Sequence, residues 1–165
     1  MKKELTYKLI NRARINIRII IIGLTLSGLT AFPLETELRI LADHPAIYPE
    51  FMRAWLNTIY HAVKFTNQTY PYLSYGTDWL AFAHLLFAVL FIGALRDPVK
   101  NIWIIEFGII AAIAIFPLAF IAGSIRGIPI FWRLIDCSFG IITLIILLPC
   151  YNVIKKLIHL NSKPC

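Results

Sequence analysis

The chain is poor in charge. Only 15% of its residues are Asp, Glu, Lys or Arg, against about 25% in a soluble domain, and that shortage excludes an ordinary water-soluble fold. Cysteine is scarce too, with three in 165 residues. Cys137 and Cys150 fall in an apolar stretch and Cys165 is the last residue, so the set reads as unpaired thiols without metal-ligand spacing. None of the 8 glycines belongs to a phosphate-cradling loop or a dinucleotide fingerprint. No internal repeat or low-complexity tract is present. Four short spans without broken-helix repeats argue against a self-sufficient transporter. One histidine, His84, lies inside an apolar run, whereas haem b within a bundle takes two. His44, His61 and His159 read as solvated. Neither a cofactor nor a metal is expected.

Long apolar runs are what the chain has in abundance. Four of them cover residues 15–33, 77–95, 102–123 and 130–151. A hydrocarbon core ~30 Å thick takes roughly 20 helical residues to cross, and lipid accepts only segments whose backbone hydrogen bonds close internally. The fold class expected is all-α, an integral membrane four-helix bundle with an additional external amphipathic helix at the interface. Residues 1–165 then make a single transmembrane domain, with the N-terminal run as an uncleaved first span.

The net charge of +7 lies at the boundaries of the runs, which points to topology and anionic head groups rather than nucleic acid. Eleven Lys and Arg fall on one side (Lys2, Lys3, Lys8, Arg12, Arg14, Arg18, Arg96, Lys100, Lys155, Lys156 and Lys163). Five fall on the other (Arg39, Arg53, Lys64, Arg126 and Arg133), where Glu35, Glu37, Asp43 and Glu50 offset them. The positive-inside rule therefore places both termini in the cytoplasm, of the plasma membrane or of the inner membrane in a bacterium.

Residues 33–76 form the one long external segment. From Pro49 its pattern is helical, with Met52, Trp55, Leu56, Ile59 and Val63 on one face and Glu50, Arg53, Asn57, His61 and Lys64 on the other. Pro49 suits a first helical turn. Asn67 to Gly76 reads as an aromatic loop at head-group depth, with Thr77 or Asp78 capping the second span. Residues 4–18 suit a basic interfacial helix running into the first span. Arg96-Asp97-Pro98 ends span two and Arg126-Gly127-Ile128-Pro129 turns between spans three and four. Pro117 should bend span three and Pro149 should loosen the end of span four.

In lipid, small and polar residues mark the helix–helix faces. The stripes are Gly23, Ser27 and Thr30; Thr77, Ala81, His84 and Ala88; Gly108, Ala112, Ala119 and Ala122; and Trp132, Asp136, Gly140 and Thr143. At ~1.5 Å per residue, His84 lies roughly 10–12 Å and Asp136 roughly 9–10 Å from the outer end. These depths predict a polar site in the outer half, where His84 and Asp136 approach one another. Arg133, Arg126 and Asp78 stand nearer the boundary, Trp79 and Trp132 ring that level, and Ser27 and Thr30 lie beneath. Ionisable groups at such depth are functional candidates by default. The plainer readings are a structural histidine at 84 and an intrahelical Arg133–Asp136 ion pair. Glu106, near the inner end of span three, is placed to snorkel or to pair with Arg96, Lys100 or the N-terminus.

Four spans, a long first external loop and scattered intramembrane acids with one histidine resemble the architecture of sterol-isomerase and sigma-2-type membrane proteins. The likeness is architectural, so no residue role is carried over. Three functions fit the pattern. The first is binding of a membrane lipid or amphiphilic ligand in the outer polar site. The second is an accessory subunit of a larger membrane complex or a homo-oligomer. The third is a small intramembrane enzyme, isomerase- or hydrolase-like, using His84 and Asp136 as acid and base.

Overall fold

The computed structural model describes residues 2–162; Lys163 of the basic tail and Cys165 lie outside the described residues. Every regular element among them is helical. The helices are α1 (Lys2–Ala31), α2 (Leu34–Asp43), α3 (Glu50–Thr69), α4 (Pro71–Arg96), α5 (Ile102–Pro117), a π-helical segment (Leu118–Ala122), α6 (Gly123–Ile125) and α7 (Ile130–Ser162). Four stretches are long and apolar enough to cross a membrane: Glu4–Ala31, Pro71–Arg96, Ile102–Ile125 and Ile130–Leu160. The shortest has 24 residues, or about 36 Å of helix, which exceeds a ~30 Å hydrocarbon core.

Contacts divide the chain into two compact units, Met1–Ile22 with Ala88–Cys165, and Gly23–Phe87. In the first, four helical segments pack around Ala13, Ile17 and Ile20 of α1, Ala88, Phe91 and Ala94 of α4, Ile104, Ile105 and Ala112 of α5, and Leu147, Cys150, Ile154 and Leu157 of α7. Small residues allow the close approaches. A methyl group placed on Gly140 of α7 would meet the Ala112 carbonyl oxygen of α5 at 2.8 Å. The expected stripes of spans three and four are buried in part, with Ala122, Trp132, Asp136 and Thr143 half-buried. Gly108, Ala112, Ala119 and Gly140 are all buried.

Local chemistry sets the ends of these helices. Beyond Arg96, Asn101 Nδ2 donates to the carbonyls of Gly93 and Asp97, both at 3.1 Å. Arg14 Nη2 donates to the Arg96 carbonyl at 3.2 Å, so a basic side chain from α1 meets the negative end of the α4 dipole. Span three closes in a Schellman turn. Gly127 is left-handed at φ 67°, Ile128 N donates to Gly123 O at 2.9 Å and Gly127 N to Ser124 O at 3.2 Å.

The two span prolines differ. At Pro117 the α-helix gives way to the π-helical segment. Pro149, expected to loosen the end of span four, instead lies inside an unbroken α7. Neighbouring groups supply polar contacts at that turn: Asn16 Nδ2 donates to Ile146 O at 3.3 Å, and Cys150 Sγ approaches Ala13 O at 3.6 Å. These contacts tie α7 to α1 beside the proline.

The second unit holds the end of α1, then α2, α3 and the start of α4. Helix α2 was not expected. Its Leu34, Leu38 and Leu41 follow helical spacing, Leu38 is buried, and α2 packs on α3. Along α3, Leu56 is buried while Met52, Trp55, Ile59 and Val63 are half-buried. Glu50, Arg53, Asn57 and His61 are exposed and Lys64 is half-buried, close to the division the spacing predicts.

Two expectations need correction in this unit. Residues 71–76 are not an aromatic loop but the first turns of α4, with Pro71 at the start, where its missing donor is harmless. Thr77 and Asp78 consequently lie inside α4 rather than capping it. The stripe expected on span one is also on the wrong face. Gly23, Ser27 and Thr30 are exposed, whereas a methyl on Gly28 would meet Ala81 O at 2.9 Å and Leu85 Cδ2 at 2.8 Å. One residue turns a helix by about 100°, so a stripe read one position off lands on a different side.

Candidate functional site

The second unit contains a cleft of ≈ 400 Å³. The turn Phe32-Pro33 and the start of α2 (Leu34, Glu35, Thr36) form one wall. Helix α3 contributes Ala62, Val63, Thr66 and Asn67, and α4 contributes Leu73, Ser74, Thr77 and Asp78. Each of these two helices supplies residues at i, i+1, i+4 and i+5, the spacing of one helical face. The short link at Tyr70, whose N–H donates to Thr66 O at 2.7 Å, brings those faces together.

A polar chain runs across the cleft. Asn67 Nδ2 donates to Glu35 Oε2 at 2.6 Å, and the Ser74 hydroxyl donates to Asn67 Oδ1. One amide is thus held from both ends, and it fixes the Glu35 carboxylate against a side chain 32 positions away. Asp78 supplies a second, half-buried carboxylate. Lys, Arg and His are absent from the lining, and Phe32, Leu34, Val63 and Leu73 make its apolar part. The arrangement can hold an amphiphilic molecule, with donors satisfied by Glu35 and Asp78 and a chain against the apolar wall.

The nine residues expected to form a site are dispersed in role. Asp78 lines the cleft. Trp79, beside it, lines a second, shallower cleft and stacks edge-to-face on Tyr75 and Phe82, each at 6.0 Å between centroids. Ser27 and Thr30 lie on the exposed side of α1, where Thr30 Oγ1 donates to Ser27 O at 3.3 Å. His84 is half-buried, and its Nδ1 bonds the Leu80 carbonyl of its own helix at 2.8 Å. That oxygen only accepts, so Nδ1 is the donor of this bond.

The other four belong to the first unit. Arg133 is not ion-paired with Asp136; that expectation is corrected. Its Nε donates to Ile128 O at 2.8 Å and its Nη1 to Ser124 Oγ at 2.6 Å, so the guanidinium holds the Schellman turn. These two partners lie back across the turn, so the guanidinium points away from the carboxylate one turn along α7. Asp136 and Trp132 are half-buried on α7, and Arg126 is exposed at the turn. Glu106 is half-buried on α5 without an ion pair to Arg96 or Lys100 among the described residues.

Sequence reasoning missed Glu35, Asn67 and Ser74 because residues 33–49 and 67–76 read as loop. The available signals were the Leu34/Leu38/Leu41 period with acidic Glu35 and Glu37 in the first turn of α2, and Pro71 as a helix-starting residue. No family model matches the chain, and no curated protein or solved structure is significantly similar to it.

Proposed function

We propose that this is an integral membrane protein, both termini cytoplasmic and residues 33–76 external, that binds a lipid or lipid-like amphiphile in the cleft of α2, α3 and α4. The observation that carries this reading is the pairing of a fixed polar chain, Glu35–Asn67–Ser74, with an apolar wall in one cleft of ≈ 400 Å³. Ligand sites commonly occupy about 300–1,000 Å³ and combine apolar lining with a few placed polar groups. Relative to the site expected around His84 and Asp136, the reading moves to the external segment and keeps Asp78. Mass spectrometry of protein extracted in mild detergent tests it: a retained amphiphile of defined mass is expected, and its loss in Asn67→Leu ties it to the cleft. Protein that retains nothing, or retains the same molecule after that substitution, would overturn the reading.

The orientation has its own test. A single cysteine at exposed Asp43, in a chain with Cys137, Cys150 and Cys165 replaced, should react with an impermeant maleimide on intact cells. Reaction only after lysis would invert the topology that the 11-to-5 distribution of Lys and Arg supports.

A further inference from the structure

Beside the first cleft lies a second of ≈ 290 Å³, lined by Phe32, Tyr75, Asp78, Trp79 and Phe82. The two share Phe32 and Asp78. We propose that this joint site is selective for a cation and takes a quaternary-ammonium head group of the choline type, held between the Asp78 carboxylate and the aromatic wall. The proposal rests on the cleft being an amphiphile site and names its ligand class.

Three observations meet at Asp78. Both clefts lack Lys, Arg and His, while carboxylates at Glu35 and Asp78 face the first of them; an anionic head would be repelled. Glu35 is already engaged by Asn67, whereas no hydrogen bond or ion pair occupies Asp78 among the described residues, which leaves it as the available counter-ion. The third is the aromatic wall. Trp79 stands edge-on to both Tyr75 and Phe82, at 78° and 81°, and Tyr75 and Trp79 remain 61% and 57% exposed, so their ring surfaces are not used up by protein contacts. A primary ammonium needs several strong acceptors for its three N–H groups. A quaternary ammonium has none and is instead attracted by aromatic faces beside a carboxylate.

The head group has two sources, a choline lipid of the bilayer or a single-chain choline amphiphile. The test is a titration of purified full-length protein in a neutral maltoside detergent, read by tryptophan fluorescence. The probes are dodecyltrimethylammonium, dodecylphosphocholine and an anionic dodecylphosphoglycerol of equal chain length. Both choline-type probes should bind and the anionic one should not. Asp78→Asn should weaken them roughly two- to fivefold, the scale of one partly exposed charged contact, and Trp79→Leu should weaken them comparably when read by competition. Asp43→Asn, an exposed acid of α2 outside both clefts, should leave them unchanged.

Equal binding of the anionic probe, or an equal effect of Asp43→Asn, would overturn the cation selectivity. If the anionic probe alone binds and responds to Asn67→Leu, the amphiphile reading stands and this inference falls; if no probe binds, both fall. In nanodiscs, weaker binding of the zwitterionic dodecylphosphocholine with phosphatidylcholine than with phosphatidylglycerol identifies bilayer lipid as the source. Unchanged affinity identifies a single-chain amphiphile. Either result supports the same head-group chemistry.

Discussion

Gly140→Val should destabilise the first unit by about 2–3 kcal/mol, the upper part of the ~1–3 kcal/mol that forcing extra methyl groups into a packed interior costs. The sign is informative because helix propensity alone favours replacing glycine by a few tenths of a kcal/mol. Here the first atom in the way is backbone: a Cβ on Gly140 would stand 2.8 Å from Ala112 O, with Phe116 Cε2 at 3.3 Å and Ile115 Cβ at 3.6 Å. Relieving that contact means moving α5 and α7 apart along their whole interface. Gly108 is a useful contrast. Its nearest neighbours are side-chain tips, Leu147 Cδ1 at 2.6 Å and Phe91 Cζ at 2.8 Å, which can rotate, so Gly108→Ala should lose less. At Gly23 nothing lies within 4 Å, and Gly23→Val should be nearly neutral. Unfolding in increasing SDS mole fraction ranks the three. Equal losses at Gly140 and Gly23 would show that glycine content, and not the close approach, sets the effect.

Asn67→Leu should cost about 1–2 kcal/mol of stability in the second unit and abolish most amphiphile retention. The side chain is similar in size, so the packing volume is kept while two hydrogen bonds go. One of them reaches a carboxylate, Glu35 Oε2 at 2.6 Å, and bonds to charged groups contribute ~1.5–3 kcal/mol. Partial exposure of this site lowers the expected loss toward the bottom of that range. Glu35→Gln in the Asn67→Leu background should add little, since the carboxylate's held position is already gone; a double-mutant cycle reads this directly. Additive losses would mean that Glu35 and Asn67 act separately, and that the polar chain does not organise the cleft.

The end of span two and the turn between spans three and four were legible because their causes are local. Hydropathy over some twenty residues announces a crossing helix, and Arg96-Asp97-Pro98 and Arg126-Gly127-Ile128-Pro129 carry their own stop signals within a few residues. The α3 face was legible for a similar reason. Its Trp55/Leu56/Ile59/Val63 spacing contrasts with charged neighbours, and contrast is what a periodicity argument needs. The first turns of α4 were hidden by composition, since Pro, Tyr, Ser and Gly at 71–76 are loop-formers on average. Packing against α3 through Ser74 and Asn67 overrides that average.

By itself, then, the sequence determined four crossing-length helices, their turns and an amphipathic third helix. Tertiary structure alone decided which side of α1 meets a neighbour. An apolar span is acceptable to lipid on every face, so only the interdigitation at Gly28 with Ala81 and Leu85 selects one. It also decided the partners of the polar groups. Arg133 goes to Ile128 O and Ser124 rather than to Asp136. Glu35 meets Asn67 across a turn and two helices. Hydrogen bonds act over ~3 Å, and a linear pattern does not record which donors and acceptors the fold carries to that distance.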